Sequence, residues 1–257
     1  MSTHKGTIEI KGLTVTFSRW RQTVKAIEGV NLTVPAGQWM VVVGHNGSGK
    51  STLLRAISGL LTPNGGEIRI DGDSLGGLSS AQVAERVFHV HQDPLLGTAP
   101  TLTLFENLFV ADAAAQNGGA SRNDLLDKYS DLLRPLGLAD RLKQLARYLS
   151  GGERQLLALT VARLRPAAVM LLDEPLAALD PVKAELCLEQ IKALNDEGKT
   201  ILQVTHDPNL AISAGDRTLV LRQGRFAYDE VGDRREADSL RKAWSLDAGG
   251  GISIWKK

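Results

Sequence analysis

Residues 44–52, Gly-His-Asn-Gly-Ser-Gly-Lys-Ser-Thr, constrain this chain more than any other stretch. They fit G-x-x-x-x-G-K-[ST], the pattern of a loop that cradles phosphates when it joins a strand to a helix. Both neighbours are present. Trp39-Met-Val-Val-Val43 is an apolar run of strand formers, and Leu53-Leu-Arg-Ala-Ile57 reads as helix. Gly44, Gly47 and Gly49 let the backbone wrap a polyphosphate with consecutive N–H groups turned inward, so Asn46, Ser48 and Thr52 fall within the same cradle. The helix adds its positive end. Lys50 is expected to reach the β- and γ-phosphates of a nucleotide, ATP, and the Ser51 hydroxyl to ligate Mg²⁺.

A strand that ends in carboxylates completes this chemistry. Val169-Met-Leu-Leu-Asp173-Glu174 is a buried-strand pattern closed by two adjacent acids. In a parallel sheet, ligands sit beyond the carboxyl ends of the strands, where the phosphate loop also opens. Asp173 is expected in the Mg²⁺ shell, and Glu174 as the general base for water attacking the γ-phosphate.

Around these two features the chain alternates strands and helices, which implies an α/β fold: a mostly parallel sheet with helices on its faces. Residues 7–16 alternate apolar and polar residues and predict a strand with a turn at Gly12. Residues 24–34, 67–72 and 86–91 predict further strands, the first part of the chain forming an antiparallel sheet beside the core. From 93 to about 148 helical patterns dominate, at 104–115, 123–136 and 139–146, with breaks at Gly118-Gly119 and around Pro135 and Gly137. This segment reads as a helical insertion. Strands resume at 168–172, 200–204 and 218–221, with a helix over 181–197 between them. The resulting division gives 7–92 and 156–232 to the core and 93–155 to the helical part. The tail, 233–257, shows no clear pattern.

Residues 149–155, Leu-Ser-Gly-Gly-Glu-Arg-Gln, open a helix running to about Leu164. Ser150 caps it, and Gly151-Gly152 leave its first N–H groups bare, which makes a second anion site. This heptapeptide resembles the signature sequence of the ABC (ATP-binding cassette) ATPases, and the resemblance extends over about residues 7–232. It implies roles for further residues. Gln92 matches the family glutamine that contacts Mg²⁺ and the attacking water and links core to insertion. Ala178-Leu-Asp180 resembles the loop that crosses the dimer seam. His206 matches the histidine that hydrogen-bonds the γ-phosphate, while His45 falls at a variable position with no expected catalytic role. Family members stack an aromatic ring on adenine. Trp20 is the expected residue here, being nearer the next strand and larger than the alternative, Phe17. Leu156 departs from the arginine many members carry after the signature glutamine.

The resemblance further implies two ATPase subunits, a homodimer or a paralogous heterodimer. Each ATP lies between one subunit's loop and the other's Ser150 and Gly152, and integral membrane permease subunits do the transport. Residues 92–107 are similar to importers of amino-acid- or nucleoside-like solutes, which adds a secreted substrate-binding protein acting through the permease. Residues 93–148 would grip that permease, with Leu96 and Leu104 expected to be exposed there. No apolar run approaches the ~20 residues that span a bilayer, and the first residues predict no signal peptide, so the expected place is the cytoplasmic face of the inner membrane. The single cysteine, Cys187, excludes an intrachain disulfide and reads as a buried apolar residue. With 30 basic and 29 acidic residues and no basic stripe, no nucleic-acid ligand is expected. The alternatives are an ATPase for export or lipid extraction, a soluble ABC ATPase acting on DNA or ribosomes, and a small-molecule kinase. A soluble ABC ATPase usually carries two cassettes, a long coiled coil or basic segments, and a kinase would lack the signature and His206.

Overall fold

The computed structural model describes residues 5–19, 22–112, 120–231 and 237–245. The phosphate loop sits at the end of β3 (Trp39–Val43), in the middle of a six-stranded sheet ordered β10-β9-β3-β8-β7-β6. Here β6 is Val87–Val90, β7 Val169–Asp173, β8 Thr200–Thr205, β9 Arg217–Arg222 and β10 Arg225–Val231. All pairings are parallel except β9 with β10, which was not foreseen. Its signal was a two-residue hairpin turn: Gln223 and Gly224 both take positive φ, 47° and 76°, as the tightest hairpins require.

Each strand of the parallel sheet buries both faces. Val41 and Val43 of β3 pack on one side and Met40 and Val42 on the other. Helices α3 (Leu104–Ala111), α4 (Arg122–Leu133), α5 (Gly151–Leu164), α6 (Pro181–Asp196) and α7 (Pro208–Ser213) cover the first face. The second is covered by α1 (Lys50–Ile57), α2 (Ser80–Ala84) and a four-stranded antiparallel sheet, ordered β2-β1-β4-β5. Its strands are β1 (Ile8–Arg19), β2 (Gln22–Val34), β4 (Gly65–Ile70) and β5 (Asp73–Ser74). The expected α/β architecture with an antiparallel part is present.

Four local readings need correction. Gly12 makes a bulge, so β1 runs on to Arg19: the register slips on both its neighbours there, Gly12 takes φ 60°, and its N–H donates to Asn31 Oδ1 at 2.8 Å. The helix expected over 139–146 is two 3₁₀ turns, Ala139–Arg141 and Ala146–Tyr148. Between them the backbone serves α3: the carbonyls of Gln144 and Leu142 accept the N–H groups of Leu104 and Phe105, donors with no partner inside their own helix. α3 itself ends at Ala111, and residues 113–119, with the expected Gly118-Gly119 break, lie outside the described residues. The tail holds a helix, α8 (Ala237–Ser245), anchored by Leu240 and Trp244, which are one turn apart and both buried.

Candidate functional site

Glycine is required at both ends of the phosphate loop. A Cβ on Gly44 would come within 2.5 Å of the Leu221 carbonyl, and one on Gly49, at φ 109°, would strike the Ala26 carbonyl of β2. Gly47 has open space around it but takes φ 82°, a conformation L side chains avoid. The turn is thereby narrow enough to aim Lys50, first residue of α1, back across it. Lys50 Nζ donates to the carbonyls of Gly44 at 2.6 Å and His45 at 3.1 Å, and lies 3.9 Å from Glu174 Oε1. Burial pulls its pKa down, while the carboxylates of Glu174 and Asp173 act against that shift.

β7 is placed beside the loop by the sheet order, one strand removed from β3. Ser51 Oγ donates to Asp173 Oδ1 at 3.4 Å. Glu174 follows at φ 51°, an uncommon conformation for a non-glycine residue, which turns its side chain out of the strand direction. Its Oε2 lies 2.6 Å from His206 Nδ1, so that nitrogen carries the hydrogen and donates to the carboxylate. Gln92, Glu174 and His206 share with the loop a cleft of about 280 Å³, closed on one side by Ala26. A hydroxyl and a carboxylate at hydrogen-bond distance, with no cluster of three His, Cys, Asp or Glu among the described residues, suit Mg²⁺. That ion takes few protein ligands and completes its octahedron with water and phosphate oxygens.

Ser150, Gly152 and Asp180 do not line this cleft. They form a second patch. Ser150 caps α5 with a reciprocal capping box, its Oγ accepting the Glu153 N–H at 3.3 Å while Glu153 accepts the Ser150 N–H at 2.7 Å. Arg141 Nη1 holds Glu153 at 2.6 Å, a support the sequence did not reveal. Gly152 packs so closely on Leu179 and Lys183 that a Cβ would collide with the lysine stem. Asp180 caps α6, accepting the Lys183 N–H at 3.0 Å and its Nζ at 2.9 Å. Trp20 lies outside the described residues. Phe17 is exposed and pairs with Val24 on β2, two residues before Ala26.

A groove of about 420 Å³ opens beyond β6, lined by the exposed side chains of Leu60, Leu96 and Val110. His89 and His91, ring centroids 4.0 Å apart, line it too. Neither ring nitrogen of His89 has a hydrogen-bond partner among the described residues, and burial pushes its pKa down to about 3. Leu96 is 69% exposed, as expected, but Leu104 is 0% exposed and belongs to the core.

Comparison with known proteins gives the family and the fold. A model of the ABC transporter family matches residues 27–177. The tyrosine transport ATP-binding protein of Clostridioides difficile is 34% identical over 239 residues, 89% of this chain and 94% of that protein. The macrolide export ATP-binding/permease protein MacB of Psychrobacter cryohalolentis is 30% identical over 251 residues, 96% of this chain but 37% of its own length. The dimeric ATP-binding cassette MJ0796, solved in a post-hydrolysis state with ADP and Pi, superposes with a TM-score of 0.77 at 29% identity, covering 87% of this chain and 98% of that one. A matched family over more than half of its length, relatives along nearly all of it and a fold shared with a solved ATP-binding cassette make this chain a member of the ABC transporter family, an ATP-binding cassette and an ATPase.

Proposed function

We propose that two copies of this cassette, or this one and a paralogue, clamp two ATP molecules between them and drive a permease. On this reading the cargo is a small amino-acid- or nucleoside-like solute, taken up at the cytoplasmic face of the cell membrane. The observation that carries the dimer is the separation of the two patches. Lys50, Ser51, Gln92, Glu174 and His206 surround one cleft, with Asp173 against Ser51, while Ser150, Gly152 and Asp180 lie together off it. A two-fold axis would set the second patch of each subunit over the cleft of the other.

In the reaction, Lys50 Nζ exchanges the carbonyls of Gly44 and His45 for β- and γ-phosphate oxygens, and the loop N–H groups hold the rest of the polyphosphate. Glu174 takes a proton from water as its oxygen attacks the γ-phosphorus. The bond from that phosphorus to the bridging oxygen breaks, ADP leaves, and the proton passes to phosphate. His206 Nδ1–H is held by Glu174 Oε2 before ATP enters and turns to donate that hydrogen to a γ-phosphate oxygen once the nucleotide is bound. Gln92 orients the water. Mg²⁺, held by Ser51 and Asp173, would supply charge neutralisation on the phosphate oxygens. The adenine stack is assigned to Trp20.

The permease partner is assigned to the groove beyond β6, because Leu60, Leu96 and Val110 expose a connected apolar lining there. Among the described residues no helix is long and apolar enough to cross a membrane, so another chain would supply the transmembrane path. The tyrosine transport relative, matched over 94% of its own length, supports an amino-acid-like cargo. The macrolide export relative supports the second reading, export. The test is purification of tagged protein from solubilised membranes. Leu60→Asp with Leu96→Asp is expected to keep basal ATP hydrolysis and lose the co-purifying membrane protein and transport. A wild type that recovers no integral membrane partner removes the transporter reading. Cargo accumulation in, or loss from, cells lacking the gene decides direction.

A further inference from the structure

The C-terminal helix touches the phosphate loop. His45, second residue of the loop, stacks on Trp244 of α8 with ring centroids 3.8 Å apart and planes inclined by 26°. Its Nε2 lies 3.2 Å from the Trp244 carbonyl; a carbonyl only accepts, so Nε2 carries the hydrogen. That carbonyl is in the last turn of α8, where helix carbonyls have no partner within the helix. Trp244 is itself fixed: with Leu240 it is buried in the core cluster, and α8 rests on α7, β9 and β10.

The His45 peptide has work inside the loop. Its carbonyl accepts Lys50 Nζ at 3.1 Å and the Ser48 N–H at 3.1 Å. The loop is tied to the fold at its base, where the Gly44 N–H donates to Thr205, and on its far limb, where Ser48 accepts from Gly224. Between those anchors, among the described residues, the hydrogen bond from the loop tip to the rest of the chain is the one from His45 to Trp244. Asn46 and His206 line both the nucleotide cleft and a neighbouring cleft of about 460 Å³ walled by His45 and Trp244.

We propose that Trp244 is a positioning residue for the phosphate loop: through His45 it holds the loop tip in its nucleotide-binding shape, so that the C-terminal helix sets affinity for ATP. The inference rests on the loop holding ATP. Loss of the stack predicts a loss of about three- to tenfold in MgATP affinity for Trp244→Ala. His45→Ala, which removes the hydrogen bond to the Trp244 carbonyl as well as the stack, is expected to lose at least as much, and the double variant to be no weaker than His45→Ala, because the stack is common to both. Trp244→Phe keeps a ring and the carbonyl and is expected to bind within about twofold of wild type. Trp244 fluorescence supplies a second readout: the change on adding MgATP to wild type is expected to shrink in Trp244→Phe. Titration of MgATP into the full-length protein and these variants, with Lys50→Ala as the non-binding control, is the experiment. A wild type that binds no nucleotide overturns the reading of the loop along with this inference. A wild type that binds, beside His45→Ala and Trp244→Ala proteins that bind equally well, overturns this inference alone. So does a double variant whose loss is the sum of the two single ones.

Discussion

Glu174 shows how much chemistry a single backbone conformation can set. Its left-handed φ turns the carboxylate into the cleft at the end of β7, where Lys50 and His206 approach it from either side. Removing a general base costs ~10²–10⁴-fold, about 3–5 kcal/mol of barrier. Glu174→Gln is therefore expected to bind ATP normally and hydrolyse it at least a hundredfold more slowly, trapping an ATP-bound dimer on size-exclusion chromatography. Near-normal turnover would remove Glu174 from that role. The loop was legible because each of its residues answers a local demand: glycine where backbone crowds or φ is positive, lysine at the first helical position. The 2.6 Å approach of His206 to Glu174 joins residues 32 apart in sequence, and no local pattern announces it; only the family resemblance marked His206. Trp244 carried no signal at all, since its partner lies 199 residues away.

Elements were legible where they obey their own period and misread where another element claims their backbone. α3, α4 and α5 all begin at capping boxes, Thr103 with Glu106, Ser121 with Asp124 and Ser150 with Glu153, and their starts were foreseen within a residue or two, whereas the ends of α3 and α4 were placed three or four residues too late. Residues 142–145 are polar and apolar at helical spacing yet form a turn and a single β-bridge from Leu145 to Thr103, with the carbonyls of Leu142 and Gln144 serving the first turn of α3. The same contact explains why Leu104 is inside. Entering its helix against that segment, it faces the cluster formed by α4 and α5. Leu104→Ala is expected to lower unfolding free energy by about 2–5 kcal/mol, whereas Leu96→Ala, on the exposed side of the groove, stays within about 0.5 kcal/mol. Urea unfolding of the two variants checks both numbers, and equal midpoints would contradict the burial.

For the whole molecule, the mostly parallel sheet with helices on its faces followed from alternation of strands and helices, while its strand order, the edge strand β10 folded back on β9 by a two-residue turn, and α8, docked by contacts distant in sequence, did not. The proposed division of labour between two subunits leads to a mixing experiment. Lys50→Ala damages the cleft and Ser150→Arg the opposite patch, so each homodimer carries two damaged sites. Their heterodimer has one site with both lesions and one intact. Hydrolysis is expected to return on mixing to roughly a quarter of the wild-type rate, half the dimers being mixed and each having one of two sites. Mixed dimers that form without any activity would contradict the shared site. The manner of movement is set by the packing already described. One hydrophobic cluster passes without interruption from Leu108 and Tyr129 through Leu157 to Met170 and Ile191, so the helices of residues 104–164 and the sheet share their buried surface. A hinge needs a seam that can open, and there is none along this contact. Close-packed side chains allow sliding of about 1–2 Å between rotamer wells before they unlock. Displacement of Ser150 relative to the phosphate loop is therefore expected as a shear along α5 and α6, read as small, graded changes in the distance between labels at the two sites when MgATP is added, with the groove beyond β6 changing its outline in step.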